Sequence, residues 1–386
     1  MTAAQAAVLE RCVRLDPETV ALDAAAGRVT AEDVHAAVDL PPFPSSAMDG
    51  FAVRSADVPA TLAVVERVAA GRPAARALGP GEAMAISTGG VVPDGADAVV
   101  PIEVVTDRGD TVDVADPVTA GAHVRPRGGD VRAGDVVVPA GTRLGPTQLG
   151  AIAAAGVSAV ACARRPRVAV LATGSELVAP GTPLGPGQVY EANALMLAGA
   201  LAAAGADVER IPAVADDESA HSDAIAHGLE ADVLVTSGGV SVGPHDLVRK
   251  IEAELGVAEV FWQVAVKPGK PVAFGIRGKT LVFGLPGNPV SSLVGCELFV
   301  KPALRALQGM REPLPRFESA RLAAPLRRNE SRDELVRARL VGDVLEPLTG
   351  QESHMIARAA AADALVHVAR GEGTLEAGSA VSFIRI

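Results

Sequence analysis

The spacing of apolar residues divides the chain into three kinds of pattern. Residues 3–14 read as a helix, and Leu22 to about Val38 as a small helical and extended unit. Pro41-Pro42-Phe43-Pro44 then stops regular structure, because proline fixes φ and restricts the residue before it. From Phe51 to about Val124 the pattern is short Val-rich runs between turns, as at Thr61–Val68, Ala83–Ser87, Ala98–Val105 and Thr111–Val114. Asp107-Arg108-Gly109-Asp110 reads as the hairpin turn between the last two, so this stretch is expected to be all β. Gly134–Thr142 reads as one more strand, and Pro146 opens an Ala-rich helix, Thr147–Ala155, stopped by Gly156. Arg164-Arg165-Pro166 marks a boundary.

After that boundary strands alternate with helices. Arg167–Ala172, Asp207–Ile211 and Asp232–Thr236 are strands; Asn193–Ala203 with Ala204, and Asp217–Leu229, are helices, the first stopped by Gly205. Val272–Phe274 and Thr280–Phe283 are further strands, and Asn288 with Pro289 begins another helix. Several strands are apolar without alternation, which predicts a parallel sheet covered on both faces. Arg311–Arg316 is a linker, and Ser319–Ala323, Glu334–Leu340, Ala364–Val368 and Ser379–Ile384 return to β pattern.

Composition narrows the function. At 386 residues and 49% hydrophobic, the chain is expected to fold into several packed domains. Its formal net charge of −11 argues against a nucleic-acid partner, which needs a basic surface. Cys12, Cys162 and Cys296 are far apart and form no zinc or disulfide spacing. The N-terminus lacks the basic start of a signal peptide, and the longest apolar stretch, Leu149–Ala163, is short of the roughly 20 residues of a spanning helix. A cytoplasmic protein with no membrane partner is expected.

Ligands of a parallel sheet bind at the C-terminal ends of its strands. Three such ends carry glycine and small polar residues: Thr173-Gly174-Ser175-Glu176, Ser237-Gly238-Gly239 running on to Asp246, and Gly284-Leu285-Pro286-Gly287-Asn288-Pro289. Glycine lets backbone N–H groups approach an anion, and a helix start adds positive partial charge. One such loop is an ordinary turn; three on one edge suggest a cleft for phosphate or a pterin phosphate. Lys267-Pro268-Gly269-Lys270-Pro271 adds two lysines on a loop stiffened by proline, suited to an oxyanion or to a solvated surface turn. Asp49, Asp130, Glu176, Asp216, Asp217 and Asp246 are the recurring loop carboxylates. Glu176 and Asp246 follow strands directly and are the better candidates for a hard cation. Gly278-Lys279-Thr280 only mimics the end of a P-loop, because Ala273 stands where the first glycine belongs and a strand follows; it is expected to be a hairpin turn. There is no G-x-S-x-G elbow and no dinucleotide-binding fingerprint.

Taken in order, these motifs resemble the molybdopterin molybdenumtransferase family, which includes the C-terminal domain of gephyrin. The resemblance rests on Ser46-Ala47-Met48-Asp49-Gly50; Thr88-Gly89 before Val92–Val100; Arg125-Pro126-Arg127-Gly128-Gly129-Asp130; Thr173–Leu177; Ser237–Gly243 with Asp246; Lys267–Pro271; Gly284–Ser292; and Gly350-Gln351-Glu352-Ser353-His354-Met355. It spans nearly the whole chain. Phe51 departs from a frequent Tyr, Gly129 from a common Glu, and Gln263 from the Lys of some members.

The resemblance implies a multidomain α/β plus β architecture with a central parallel-sheet domain. Residues 1–42 with 125–165 would form a mixed N-terminal domain, 43–124 an inserted β domain, 166–311 the α/β molybdopterin-binding domain and 312–386 a C-terminal β domain. It implies an elongated homodimer whose cleft lies between the α/β domain of one subunit and the N-terminal segments of the other. The implied reaction is Mg²⁺-dependent insertion of molybdate into adenylylated molybdopterin with release of AMP. Asp49, Asp130, Glu176, Asp246, Lys267 and Lys270 would be catalytic, with Glu176 and Asp246 holding Mg²⁺. Thr88, Arg125, Thr173, Gly174, Ser237, Gly238, Gly239, Asp216, Pro286, Gly287, Asn288 and Ser353 would bind substrate. Other molybdenum-cofactor biosynthesis proteins would be further partners. The rival functions are a molybdopterin adenylyltransferase, whose fold resembles residues 167–310, and a non-catalytic scaffold of the same family.

Overall fold

The first strand of the chain finds its partner far along the sequence: Pro17–Ala21 pairs antiparallel with Ala159–Ala163, Val20 opposite Val160. The computed structural model describes residues 1–214, 217–239 and 247–386. Val34–His35 likewise pairs with Val136–Val138. Ile152 of the Pro146–Ala154 helix is buried with Val20, Val34, Leu144 and Cys162 in one small core, so the two sequence pieces fold together. The N-terminal helix is Thr2–Leu9, shorter than its pattern predicts. Beyond Leu9 the chain instead follows the helix Lys301–Leu307, with the Leu15 N–H donating to the Leu307 carbonyl at 2.9 Å.

Between these pieces lies a six-stranded sheet in the order Ala98–Pro101, Gly50–Val53, Glu82–Ile86, Ala60–Val68, Thr111–Val114, Val105–Asp107. The predicted strand Ala98–Val105 is broken in two by a 3-10 turn at Ile102–Val104. Its physical cause is local: Pro101 has no N–H for the ladder, and the Ile102 N–H donates to the Asp49 carbonyl at 3.0 Å.

The central sheet runs Asp207–Val214, Arg167–Thr173, Val233–Ser237, Thr280–Leu285, Ala273–Arg277, Ala258–Trp262. The first four strands are parallel; Ala273–Arg277 turns back antiparallel through a hairpin at Gly278, where φ is +60°. Gly278-Lys279-Thr280 is thus the hairpin turn that its missing glycine predicts. Burial explains the unbroken apolar strands. Val168, Val170 and Ala172 enter one core with Leu197 and Leu201, while Ala169 and Leu171, on the same strand, enter another with Ile225 and Ile251. The helix Glu218–Gly228 is capped by Asp217, whose side chain accepts from the Ala220 N–H at 2.8 Å. Asn288 stands at the cap position of Pro289–Gly295, but its side chain makes no capping bond.

The C-terminal strands close on themselves. Asp333–Val341 pairs with both Val344–Pro347 and Ala364–Val368, and the ladder continues through Glu318–Leu322 and Ala380–Arg385. Val266–Lys267, from the central domain, adds to the start of Asp333–Val341 in parallel. Arg337 of this barrel is only 1% exposed. Its guanidinium donates to the carbonyls of Gly350 at 2.7 Å, Met355 at 2.8 Å and Glu352 at 3.2 Å. Gln351 completes the arrangement, its amide donating to the Arg337 and Leu348 carbonyls at 2.9 and 2.8 Å.

Replacing Arg337 by Ala should lower stability by about 3 kcal/mol or more in urea unfolding, because it strands several buried carbonyls and leaves a cavity. A loss below about 1 kcal/mol would show that the loop does not depend on this side chain.

Arg164, at the boundary, forks onto Asp232 with two bonds of 2.7 Å. Burial pushes the Asp232 carboxyl up, but the Arg164 guanidinium and the Arg167 N–H outweigh it and hold it below the ordinary value. The folded carboxyl therefore ionises at lower pH than the unfolded one. Its stabilisation is present above the unfolded value and is lost as pH falls through the folded one. Asp232→Asn should flatten the acid side of the stability–pH curve below about pH 4; an acid side as steep as wild type would contradict the pairing.

Candidate active site

Three strand ends of the central sheet meet closely, and glycine is what lets them. Gly238 and Gly239 have φ of +101° and +64°. A Cβ on Gly238 would lie 2.6 Å from the Thr173 carbonyl oxygen, and one on Gly239 would lie 2.4 Å from Cγ2 of Val248. Gly287 faces the same turn: its Cβ position is 3.7 Å from Cα of Gly238. The Gly238 N–H donates to the Leu285 carbonyl at 3.0 Å. Thr173, Ser237, Gly238, Gly239, Pro286, Gly287 and Asn288 are therefore gathered on one sheet edge.

Two residues outside the predicted set tie these turns together. Asn193, the first residue of its helix, donates from Nδ2 to Oγ of Ser237 at 2.9 Å and to the Gly287 carbonyl at 2.6 Å. Ser292 bonds the Pro286 carbonyl, and its Oγ is 3.2 Å from Oγ of Ser237. A polar residue opening a helix on the ligand edge of a sheet is the signal that points to Asn193. Ser292 carried none, since serine inside a helix is commonplace.

Glu176 folds back over Gly174, where an added Cβ would be 2.6 Å from Oε2. Its carboxylate is exposed and has no hydrogen-bond or ion-pair partner among the described residues. Asp216 and Asp246, with residues 240–245 of the second loop, lie outside the described residues. Among the described residues there is no group of three or more His, Cys, Asp or Glu side chains able to hold a metal ion. A single free carboxylate beside glycine turns is compatible with Mg²⁺, which takes one or two carboxylates and draws its other ligands from substrate phosphate and water.

The lysine loop packs on the helix that starts at Pro289, the Gly269 Cβ position being 3.4 Å from the Ser291 carbonyl oxygen. Its two lysines line different cavities. Lys267 shares one of about 580 Å³ with Arg327 and Arg328. Lys270 shares one of about 610 Å³ with Arg332 and Gln263, and Ser331 lines both. Gln263 is uncharged, and Arg332 supplies a second cation in the same cavity. Lys267 is also paired with Glu334 at 2.8 Å. Ser353 arrives from the barrel, its carbonyl accepting the Val290 N–H at 3.0 Å. Arg327, Arg328 and Arg332 carry no sequence signal of their own, because they fall between the strand patterns Ser319–Ala323 and Glu334–Leu340 and outside every motif.

Asp49, Thr88, Arg125 and Asp130 lie on the N-terminal segments, and of these Asp49 and Thr88 are in contact. Oδ1 of Asp49 accepts the Thr88 N–H at 2.7 Å. Gly50 must be glycine, since a Cβ there would lie 2.0 Å from the Val100 carbonyl oxygen. Arg125 pairs with Ser45 in a short antiparallel bridge, and the Asp130 N–H donates to the Leu40 carbonyl at 2.9 Å. All four side chains are on exposed residues. No hydrogen bond or ion pair between described residues joins these four residues to the sheet-edge group. Phe51 is 1% exposed and fills the core of the inserted sheet, so a hydroxyl there has no access to either group.

Three family models match successive parts of the chain. Residues 1–156 match the MoeA N-terminal region (domain I and II), 169–306 a probable molybdopterin binding domain, and 319–386 the MoeA C-terminal region (domain IV). Molybdopterin molybdenumtransferase 2 of Mycobacterium tuberculosis is 40% identical over 351 residues, 86% of either chain. Molybdopterin molybdenumtransferase of Haemophilus influenzae is 38% identical over 299 residues, 76% of this chain and 74% of its own. A molybdopterin biosynthesis moeA protein from Pyrococcus horikoshii OT3 superposes with a TM-score of 0.88 at 28% identity, over 100% of this chain and 99% of that one. The chain belongs to the molybdopterin molybdenumtransferase family.

Proposed function

We propose that the protein inserts molybdenum from molybdate into adenylylated molybdopterin and releases AMP, acting in the cytoplasm as a Mg²⁺-dependent homodimer. The observation that carries this reading is the gathering of glycine turns, basic cavities and Ser353 around the start of one helix. Backbone amides at Gly238, Gly239 and Gly287 hold phosphate oxygens, helped by the helix start at Pro289. Asn193 and Ser292 keep those turns in register. Lys270 and Arg332 hold molybdate as a tetrahedral dianion. Glu176, with Asp246, would hold Mg²⁺, which when bound supplies positive charge at the phosphoanhydride and the departing phosphate of AMP. The dithiolene sulfurs of the substrate take the molybdenum, so Cys12, Cys162 and Cys296 are not needed. Two of them, Cys162 and Cys296, are buried in any case.

Asp49, Thr88, Arg125 and Asp130 complete the cleft from the partner subunit. This accounts for the absence, among the described residues of one chain, of any hydrogen bond or ion pair between them and the sheet edge. The substrate reaches the cleft from other molybdenum-cofactor biosynthesis proteins. No nucleic acid is a partner of so acidic a chain, and among the described residues no helix is long and apolar enough to cross a membrane.

The adenylyltransferase alternative is disfavoured by the barrel's contribution of Arg332 and Ser353, which a stand-alone α/β domain would lack. The scaffold alternative is disfavoured by Lys270 and Glu176, exposed and without salt-bridge partners among the described residues.

AMP release from adenylylated molybdopterin tests the reading. Lys270→Ala and Arg332→Ala should each raise the molybdate concentration for half-maximal rate by about tenfold, the usual effect of losing one charge-assisted contact. Lys270→Arg should not restore it fully, since a planar fork replaces a compact ammonium. Wild-type molybdate dependence in both alanine variants would place the oxyanion elsewhere, and consumption of ATP in place of AMP release would favour the adenylyltransferase.

A further inference from the structure

Lys267 and Lys270 belong to one short loop, yet their electrostatic situations differ. Lys270 has no carboxylate partner among the described residues. Lys267 is opposite Glu334 in the register of the strand that joins the two domains, and its Nζ lies 2.8 Å from Oε1 of that residue. The Glu334 side chain is 14% exposed and the Lys267 side chain 45% exposed, so the carboxylate is the fixed member and the ammonium the one with room to move. Both line the cavity of about 580 Å³, together with Arg327 and Arg328. Neither guanidinium has a carboxylate within ion-pair distance among the described residues.

An oxyanion approaching this cavity meets Arg327 and Arg328 together with the carboxylate of Glu330 on the barrel loop and, on Lys267, a charge already compensated by the Glu334 carboxylate. We propose that Glu334 is a positioning residue that stands in for the oxyanion: it holds Lys267 in the empty cleft and keeps the affinity for free dianions low. The inference rests on the reading above, in which the lysine loop serves an oxyanion. Glu334 lets an oxyanion gain the Lys267 contact only by exchanging it for the internal one. Abundant dianions of the same shape, sulfate and phosphate, are thereby held at low occupancy, and a bound oxyanion is easily released.

The test follows from Coulomb's law. Removing one fixed negative charge changes the binding energy of an anion in proportion to that anion's own charge. Molybdate and perrhenate are both tetrahedral oxyanions, one divalent and one monovalent. Calorimetric titration of the full-length protein with each anion alone should show Glu334→Gln binding molybdate about five- to tenfold more tightly than wild type. Perrhenate should gain only about the square root of that factor, roughly two- to threefold. Glu334→Asp, whose shorter side chain draws back from Lys267, should show a smaller gain and provides the comparison if the glutamine variant is poorly folded. A sequence of affinities in which Glu334→Gln binds molybdate no better than wild type, or in which both anions gain equally, overturns the role of Glu334. Lys270→Ala measured alongside separates the two levels. If it weakens molybdate binding and Glu334→Gln fails to tighten it, only the inference falls. If Lys270→Ala binds molybdate like wild type, the placement of the oxyanion at Lys270 falls, and Glu334→Gln alone decides the role of Glu334 in the separate cavity that it lines with Lys267.

Discussion

Leu335, Leu365 and Ile384 of the barrel share one apolar core with Val8 of the N-terminal helix and with Val170, Phe283 and Leu304 of the central domain. Fully burying a side chain of this size contributes about 1.5–3 kcal/mol, so the shared core is a strong constraint on how the barrel and central domain sit. The position of the basic cavities follows from it. Arg327, Arg328 and Arg332 lie on the barrel, Lys267 and Lys270 on the central domain, and only a fixed docking brings the two sets to the same openings. The strand Val266–Lys267, paired to Asp333–Val341, carries that docking directly into the lysine loop.

Around this frame, charge is arranged against the character of the whole chain. The protein carries a formal charge of −11, yet arginine and lysine line both cavities beside the helix start. An anion is therefore held by a local cluster, and at ordinary ionic strength the Debye length of about 8–10 Å limits how far the remaining acidic surface opposes it. Rigidity comes from uncharged contacts: the close packing of Gly238 on Thr173, the amide of Asn193 across two turns, and Arg337 buried behind the Ser353 loop.

Much of this was legible in the sequence because it depends on local rules. The unbroken apolar run Arg167–Ala172 announces a strand buried on both faces, and Ser237-Gly238-Gly239 announces a turn that only glycine can make. What escaped depends on distant partners. Residues 10–14 continue a helical pattern, but the chain docks on Leu307 instead. Ala98–Val105 looks like one strand until Asp49 claims the Ile102 N–H. Glu334 reads only as the first residue of a strand and Arg332 falls just before it, and the pairing of that strand with Val266–Lys267 brings both to the lysine loop.

The central claim is that one site is built from two subunits, with Asp49 supplied by one and Lys270 by the other. Co-expression of an Asp49→Ala chain with a Lys270→Ala chain, each carrying a different affinity tag, allows the mixed dimer to be purified. A site shared across subunits leaves that dimer one intact cleft and one doubly altered cleft. It should release AMP at about half the wild-type rate, although each parent homodimer is impaired at both of its clefts. A mixed dimer no more active than its parents, or a fully active single subunit, would contradict the account.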